Sequence, residues 1–123
     1  MKLTSLSAFA ALVASALAAD CTGNFLGSPT TDLYWEVRTR MCDQNAPFAC
    51  PYQQDCQQGA QAKFDTFTFS VQLIRKNTDG VKGFKDCWDA TEDIINQCIA
   101  SGLTDGGTWK YEGQSFEYKA YYV

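Results

Sequence analysis

Apolar and polar residues alternate most clearly between residues 64 and 74, in the segment FDTFTFSVQLI. One side of this segment carries threonine, serine and glutamine, and the other carries the apolar set Phe67, Phe69, Val71 and Leu73. Alternation with a period of two predicts a half-buried β-strand. The preceding stretch, residues 43–61, is polar and contains two prolines. We expect a loop there, held by disulfides.

A second alternating region closes the chain. The segments TWKYE and QSFEYKAYYV flank Glu112-Gly113, where glycine permits a tight turn, and they predict a β-hairpin with Trp109 opposite Phe116. In that register one face carries Trp109, Tyr111, Phe116, Tyr118, Ala120 and Tyr122. The other face carries Lys110, Ser115, Glu117, Lys119 and Tyr121. We expect the aromatic face to be covered and the polar face to be open to solvent.

Two segments have helical spacing. Residues 84–99 place Cys87, Thr91, Ile94 and Cys98 three and four apart, and Ser101-Gly102 ends the pattern. Between residues 32 and 41, the apolar residues Leu33, Val37 and Met41 lie four apart. That segment also fits strict alternation, so its period does not decide between helix and strand. A capping residue at Thr31 or Asp32 favours a helix.

The predicted order is therefore helix, strand, helix, hairpin. A sheet with one apolar face needs a cover, and the two helices can supply it. We expect an α+β fold, a two-layer α/β sandwich in which two helices pack on one face of an antiparallel sheet.

The first eighteen residues have the features of a signal peptide. Lys2 precedes a mostly apolar run, and Ala16-Leu17-Ala18 is a small-x-small cleavage site. The run is shorter than the roughly 20 residues that a membrane-spanning helix needs. We expect residues 1–18 to be removed, residues 19–123 to form a single domain, and the protein to be secreted without membrane insertion.

Composition restricts the chemistry that is open to this chain. It has six cysteines and no histidine, so we expect disulfides, no bound metal and no cofactor. The formal net charge of −4 argues against nucleic acid as a partner. Four carboxylates cluster in the second helix: Asp86, Asp89, Glu92 and Asp93. Their spacing does not indicate the carboxylate pair of a glycosidase. We interpret them as a solvated face and expect no enzymatic activity.

The cysteine spacing resembles a known family. Cys42 and Cys50 enclose DQNAPFA, Cys87 and Cys98 enclose WDATEDIINQ, and the chain ends in YKAYYV. This layout resembles the small fungal killer toxins, which have a cysteine-stapled α/β sandwich. CWDATEDIINQC and GGTWKYEGQSFEY more specifically resemble the related secreted fungal glycan-binding proteins, a lectin family known from a mushroom. The resemblance implies the bridges Cys21–Cys98 and Cys42–Cys87, which leaves Cys50 to pair with Cys56. The killer toxins carry further cysteines that this chain lacks.

The resemblance implies a secreted carbohydrate-binding protein whose partners are glycans or glycoproteins. An aromatic ring beside hydrogen-bonding groups suits a sugar. The residues expected to bind it are Tyr121, Lys119, Glu117, Trp88 and Asp105. The alternative is a killer-toxin-like or effector protein that acts on a membrane channel or a host protein. We also expect the C-terminal strand to be a sheet edge through which a homodimer forms.

Overall fold

The computed structural model describes residues 18–25, 27–43, 55–77, 86–111 and 113–122. Within them the chain has an α+β fold, with two helices and a five-stranded antiparallel sheet. The strands are β1 (Asp20–Thr22), β2 (Cys56–Lys63), β3 (Thr68–Asn77), β4 (Gly106–Tyr111) and β5 (Gln114–Tyr122). The helices are α1 (Asp32–Cys42) and α2 (Cys87–Ile94). The predicted signal peptide lies outside the described residues, except for the exposed Ala18.

Both helices and the sheet contribute to one buried core. The sheet supplies Phe69, Val71, Leu73, Trp109, Phe116 and Tyr118. The helices supply Leu33, Tyr34, Val37, Met41, Ala90 and Ile94, and Ile95 follows directly after α2. Two buried tyrosine hydroxyls are satisfied by backbone carbonyls. Tyr34 donates to the Asp105 carbonyl at 2.7 Å, and Tyr118 donates to the Tyr34 carbonyl at 2.9 Å. Burial raises the pKa of both phenols far above their ordinary range.

The C-terminal hairpin has the predicted register. Trp109 pairs with Phe116, and Gly113 has a φ of 79°, which glycine adopts without steric cost. Trp109, Phe116 and Tyr118 are buried as expected. Tyr111 and Tyr122 are not, with 41% and 50% of their surfaces exposed.

The C-terminal strand is not a sheet edge. The strand order is β1-β4-β5-β3-β2, so β5 pairs with a neighbour on each side. The expectation that two copies pair through this strand is therefore wrong, because its backbone is already paired inside the sheet. The edges are β1 and β2, and Arg40 of α1 donates to the Gly59 carbonyl of β2 at 2.8 Å.

The predicted loop over residues 43–61 is wrong at its end, because β2 starts at Cys56. This strand pairs with β3 along all eight of its residues. The predicted strand start at Phe64 is also wrong. The Phe64 N–H donates to the Phe67 carbonyl at 2.8 Å in the turn that joins β2 to β3. The rest of that loop, residues 44–54, lies outside the described residues.

The end of the second helix is wider than an α-helix. Ile95–Ile99 forms a π-helical turn, in which the Ala100 N–H donates to the Ile95 carbonyl at 2.8 Å.

Two disulfides are present among the described residues. Cys98 lies in the π-helical turn and is joined to Cys21 of β1, while Cys42 is joined to Cys87. These are the two pairings that the resemblance implies. The third, Cys50–Cys56, involves Cys50, which lies outside the described residues. No helix of the described residues meets the length and hydropathy of a membrane span.

Candidate ligand-binding site

Side chains that point away from the core form the open face of the sheet. On β5 and β4 they are Ser115, Glu117, Lys119, Tyr121, Thr108 and Lys110, and β3 adds Gln72 and Lys76. They alternate with the buried residues of the same strands, as the period of two requires. This face is mostly polar, although it includes Ile74, and it carries four lysines, because Lys63 of β2 pairs with Thr68 on the same side. Within the described ranges, the core packs against the opposite face of the sheet.

The open face contains a cavity of about 340 Å³ at the end of β5, which we call the open-face cavity. The sheet is incomplete there, because β4 starts at Gly106 and β5 continues past Tyr118 to Tyr122. The cavity is lined by Thr22, Gly23, Asp105, Gly106 and the β5 residues 117–121. Its volume falls at the lower end of the range for small-molecule sites, which begins at about 300 Å³.

Four of the five residues that the sequence predicts as glycan ligands line this cavity. They are Tyr121, Lys119, Glu117 and Asp105. Tyr121 leaves 43% of its surface exposed, and Lys119 is exposed beside it. These two lie near one end of the sheet rather than at the centre of its face, because β4 does not extend alongside them. An aromatic ring, a cation and a carboxylate therefore share one concave surface.

Asp105 differs from its predicted role as a free ligand. It is only 5% exposed, and its Oδ1 accepts a hydrogen bond from the Asn24 N–H at 2.7 Å. Gly23 adopts a φ of 96°, and a Cβ at this position would collide with the same oxygen. Asp105 therefore fixes the loop after β1 and shapes the wall of the cavity. No sequence pattern indicates this contact, because 81 residues separate the partners.

Trp88 lies elsewhere, on α2. The Arg38 guanidinium lies 4.7 Å from the centre of its ring and 5.3 Å from the ring of Trp35. Arg38 also donates to the Trp88 carbonyl at 3.0 Å. The structure thus gives Trp88 a contact between the helices and does not bring it to the open-face cavity.

A larger depression adjoins the cavity across the hairpin and is called the hairpin groove. Its volume is about 760 Å³, and Glu117 lines both spaces. The groove is further lined by Ile74, Lys76, Thr108, Lys110, Tyr111, Gly113, Gln114 and Ser115. Cavity and groove together extend along much of β5.

The carboxylates of α2 do not form one uniform solvated face. Asp86, Asp89, Glu92 and Asp93 line a third space together with Trp109 and Tyr111. The sequence interpretation placed Trp109 in the core and the carboxylates in water, and it did not connect the two groups. No set of three or more acidic or cysteine side chains in the described ranges is arranged to hold a metal ion.

Comparisons of the chain with protein-family models, with curated proteins and with solved structures found no match.

Proposed function

We propose that this chain is a secreted carbohydrate-binding protein and that its ligand binds in the open-face cavity. The observation that carries the proposal is the meeting of Tyr121, Lys119 and Glu117 in one concave space of about 340 Å³. A sugar ring offers C–H groups to an aromatic face and hydroxyls to charged groups. The hairpin groove extends this surface for an oligosaccharide.

The same proposal includes secretion of the protein and a third disulfide. Cys21–Cys98 and Cys42–Cys87 are present, and no described cysteine is free. We infer that Cys50 and Cys56 form the third bridge and that the helices form one layer against the inner face of the sheet. Disulfides of this density are typical of small extracellular domains. The signal-like segment at residues 1–18 supports the same localisation.

A glycan array on the purified oxidised protein, followed by calorimetric titration of a binding glycan, tests this function. Tyr121→Ala should weaken binding by about 1–3 kcal/mol and leave thermal stability nearly unchanged, because its ring is exposed at the site. Tyr122→Ala is the matched control. Its ring lies 5.1 Å from that of Phe69, centre to centre, and it does not line the cavity. That variant should lose stability and keep its affinity.

Two results would count against the proposal. The first is an array on which no glycan binds. The second is binding that Tyr122→Ala weakens as much as Tyr121→Ala does.

The alternative is a killer-toxin-like or effector protein, and the two observed disulfides favour it equally, since the same layout underlies both resemblances. Growth inhibition or cell death that persists in Tyr121→Ala, without glycan dependence, would support this alternative.

A further inference from the structure

The open face has the opposite charge balance to the chain as a whole. The chain carries 10 basic and 14 acidic residues. Four of the carboxylates lie on or beside α2, on the side of the sheet that the core covers. On the open face, the strand residues include two acidic side chains, Asp20 and Glu117. Its basic side chains are Lys63, Lys76, Lys110 and Lys119. A locally positive face on an acidic protein attracts anions.

Two of these lysines flank one residue of the hairpin groove. Lys76 of β3 and Lys110 of β4 each pair with Ser115 of β5, one from either side, and all three residues line the groove. Neighbouring strands lie about 4.8 Å apart, so the two lysine Cα atoms are about 10 Å apart. Both side chains are exposed, and neither takes part in an ion pair among the described residues. One anionic group above Ser115 is therefore within reach of two unpaired ammonium groups.

The next positions along β5 alternate in charge. Glu117 lies between Thr108 and Ile74, and it lines both the hairpin groove and the open-face cavity. Lys119 and then Tyr121 follow on the same face and line the cavity. Side chains on one face of a strand are about 7 Å apart. The face thus presents a pair of cations, one carboxylate, one cation and an aromatic ring, in that order.

We propose that the open face binds an acidic oligosaccharide in which uronic acid rings alternate with neutral rings. This inference rests on the function proposed above and names the class of glycan. The carboxylate of one ring would lie above Ser115, between Lys76 and Lys110, and a second carboxylate would pair with Lys119. The ring between them would be neutral, because Glu117 accepts hydrogen bonds from hydroxyl groups but repels another carboxylate. A glycan with a charge on every ring therefore fits this face less well.

The test is a calorimetric titration with tetrasaccharides of different charge. Hyaluronan tetrasaccharide alternates glucuronate with N-acetylglucosamine, chitotetraose is neutral, and tetragalacturonate carries a carboxylate on every ring. We expect hyaluronan tetrasaccharide to bind roughly tenfold more tightly than chitotetraose, on the scale of two or more exposed ion pairs. Tetragalacturonate should bind less tightly than the hyaluronan fragment. Added salt should reduce the advantage of the acidic ligands, because the face is open to solvent.

Charge-removing variants identify the groups involved. Lys76→Gln and Lys110→Gln should each weaken binding of hyaluronan tetrasaccharide roughly threefold, on the scale of one exposed ion pair. Lys63→Gln is the matched control, because it removes the same charge from the same face but lines neither the groove nor the cavity. It should change binding less than about twofold. Glu117→Gln should strengthen binding of tetragalacturonate more than that of the hyaluronan fragment, because it removes the repulsion of the additional carboxylate.

The outcomes separate this inference from the function on which it rests. Equal binding of chitotetraose and hyaluronan tetrasaccharide, weakened in Tyr121→Ala, would overturn the charge preference and leave the carbohydrate-binding function intact. Failure to bind any glycan would remove both. Equal losses in Lys63→Gln and Lys110→Gln would also overturn the inference. Tighter binding of phosphatidylserine vesicles or of single-stranded DNA would do the same, because the face would then attract anions without recognising a sugar.

Discussion

At the scale of single residues, Arg38 of α1 links the two helices through several kinds of contact. Its guanidinium lies over the rings of Trp35 and Trp88 and donates from Nε to Thr91 Oγ1 at 3.2 Å. It also donates to the Trp88 carbonyl and lies near Glu92. A planar, permanently charged group suits such a position, because it can stack and donate simultaneously.

Arg38→Ala should therefore lower the free energy of unfolding by about 2 kcal/mol, since it removes two cation–π contacts and several hydrogen bonds. Urea denaturation followed by tryptophan fluorescence measures the loss. Glu36→Ala is the control, because it removes only the exposed pair with Arg40 and should cost less than about 0.5 kcal/mol. Equal losses in the two variants would show that Arg38 contributes no more than a surface charge.

Asp93 gives a prediction about pH. Burial and then the charge of Asp89 raise its pKa, with the smallest contribution from Glu92, and the Trp109 N–H opposes them. The folded state then holds the proton more tightly than the unfolded state, so stability falls as pH rises from about 4 through the raised pKa. Asp93→Asn removes this loss. Its free energy of unfolding relative to the natural chain should increase between pH 3 and pH 7 in urea titrations. A difference that is independent of pH would contradict the shift.

The sequence pattern predicted part of the candidate site. Tyr121, Lys119 and Glu117 follow from hairpin register alone, because alternation assigns every residue to a face. Contacts made by Asp105 and Trp109 could not be predicted in that way. Asp105 bonds to Asn24 and Trp109 lies beside Asp93, and both contacts join segments that are brought together only in the folded chain.

At the scale of elements, β5 and β2 differ in how far sequence predicts them. The hairpin strands carry aromatic residues in strict alternation, so their pattern is strong. The β2 sequence, CQQGAQAK, lacks β-branched and aromatic residues and has little strand propensity of its own. It forms because β3 offers it eight backbone partners. Its small inward residues, Ala60 and Ala62, pack against the core.

Close packing between β4 and the end of the second helix requires a glycine at position 107, because there is no room for a side chain. A Cβ on Gly107 would lie 2.9 Å from Ile94 Cγ2 and 3.0 Å from Cys98 Sγ. Gly107→Ala should therefore cost about 1–3 kcal/mol through overpacking, measured by urea denaturation. Gly59→Ala is the matched control on β2, where the nearest atom to a Cβ is a carbonyl oxygen at 3.2 Å. If Gly107→Ala lowers the free energy of unfolding no more than Gly59→Ala does, the turn can move to make room for the added methyl group.

At the scale of the whole molecule, the two observed bridges close long loops. Cys21–Cys98 spans 77 residues and Cys42–Cys87 spans 45. The first also holds β1, a strand of three residues whose one partner among the described strands is β4. Long loops gain most from cross-linking, because the unfolded chain loses the most freedom.

Replacing Cys21 and Cys98 together by alanine should lower the free energy of unfolding by about 2–5 kcal/mol. The local effect should be larger at β1, because little else retains so short a strand. Hydrogen exchange in this variant should then be faster at position 21 and at Gly107, its partner on β4, than at Val71 of β3. The double replacement of Cys42 and Cys87 is the control and should spare β1. Unchanged protection at β1 in the first variant would show that strand pairing alone holds it.

The central position of β5 has a consequence for how the chain reaches its native state. Its neighbours β3 and β4 pair with it and not with each other, so the sheet consists of two separate halves until Gln114–Tyr122 is in place. During synthesis those nine residues leave the ribosome after every other described element. The β2–β3 hairpin can form before β5 is in place, but its apolar face then stays exposed to solvent, because the core is not complete. Completion of the core therefore depends on the insertion of this strand, and oxidation of the cysteines before it is inserted would trap incompletely folded chains.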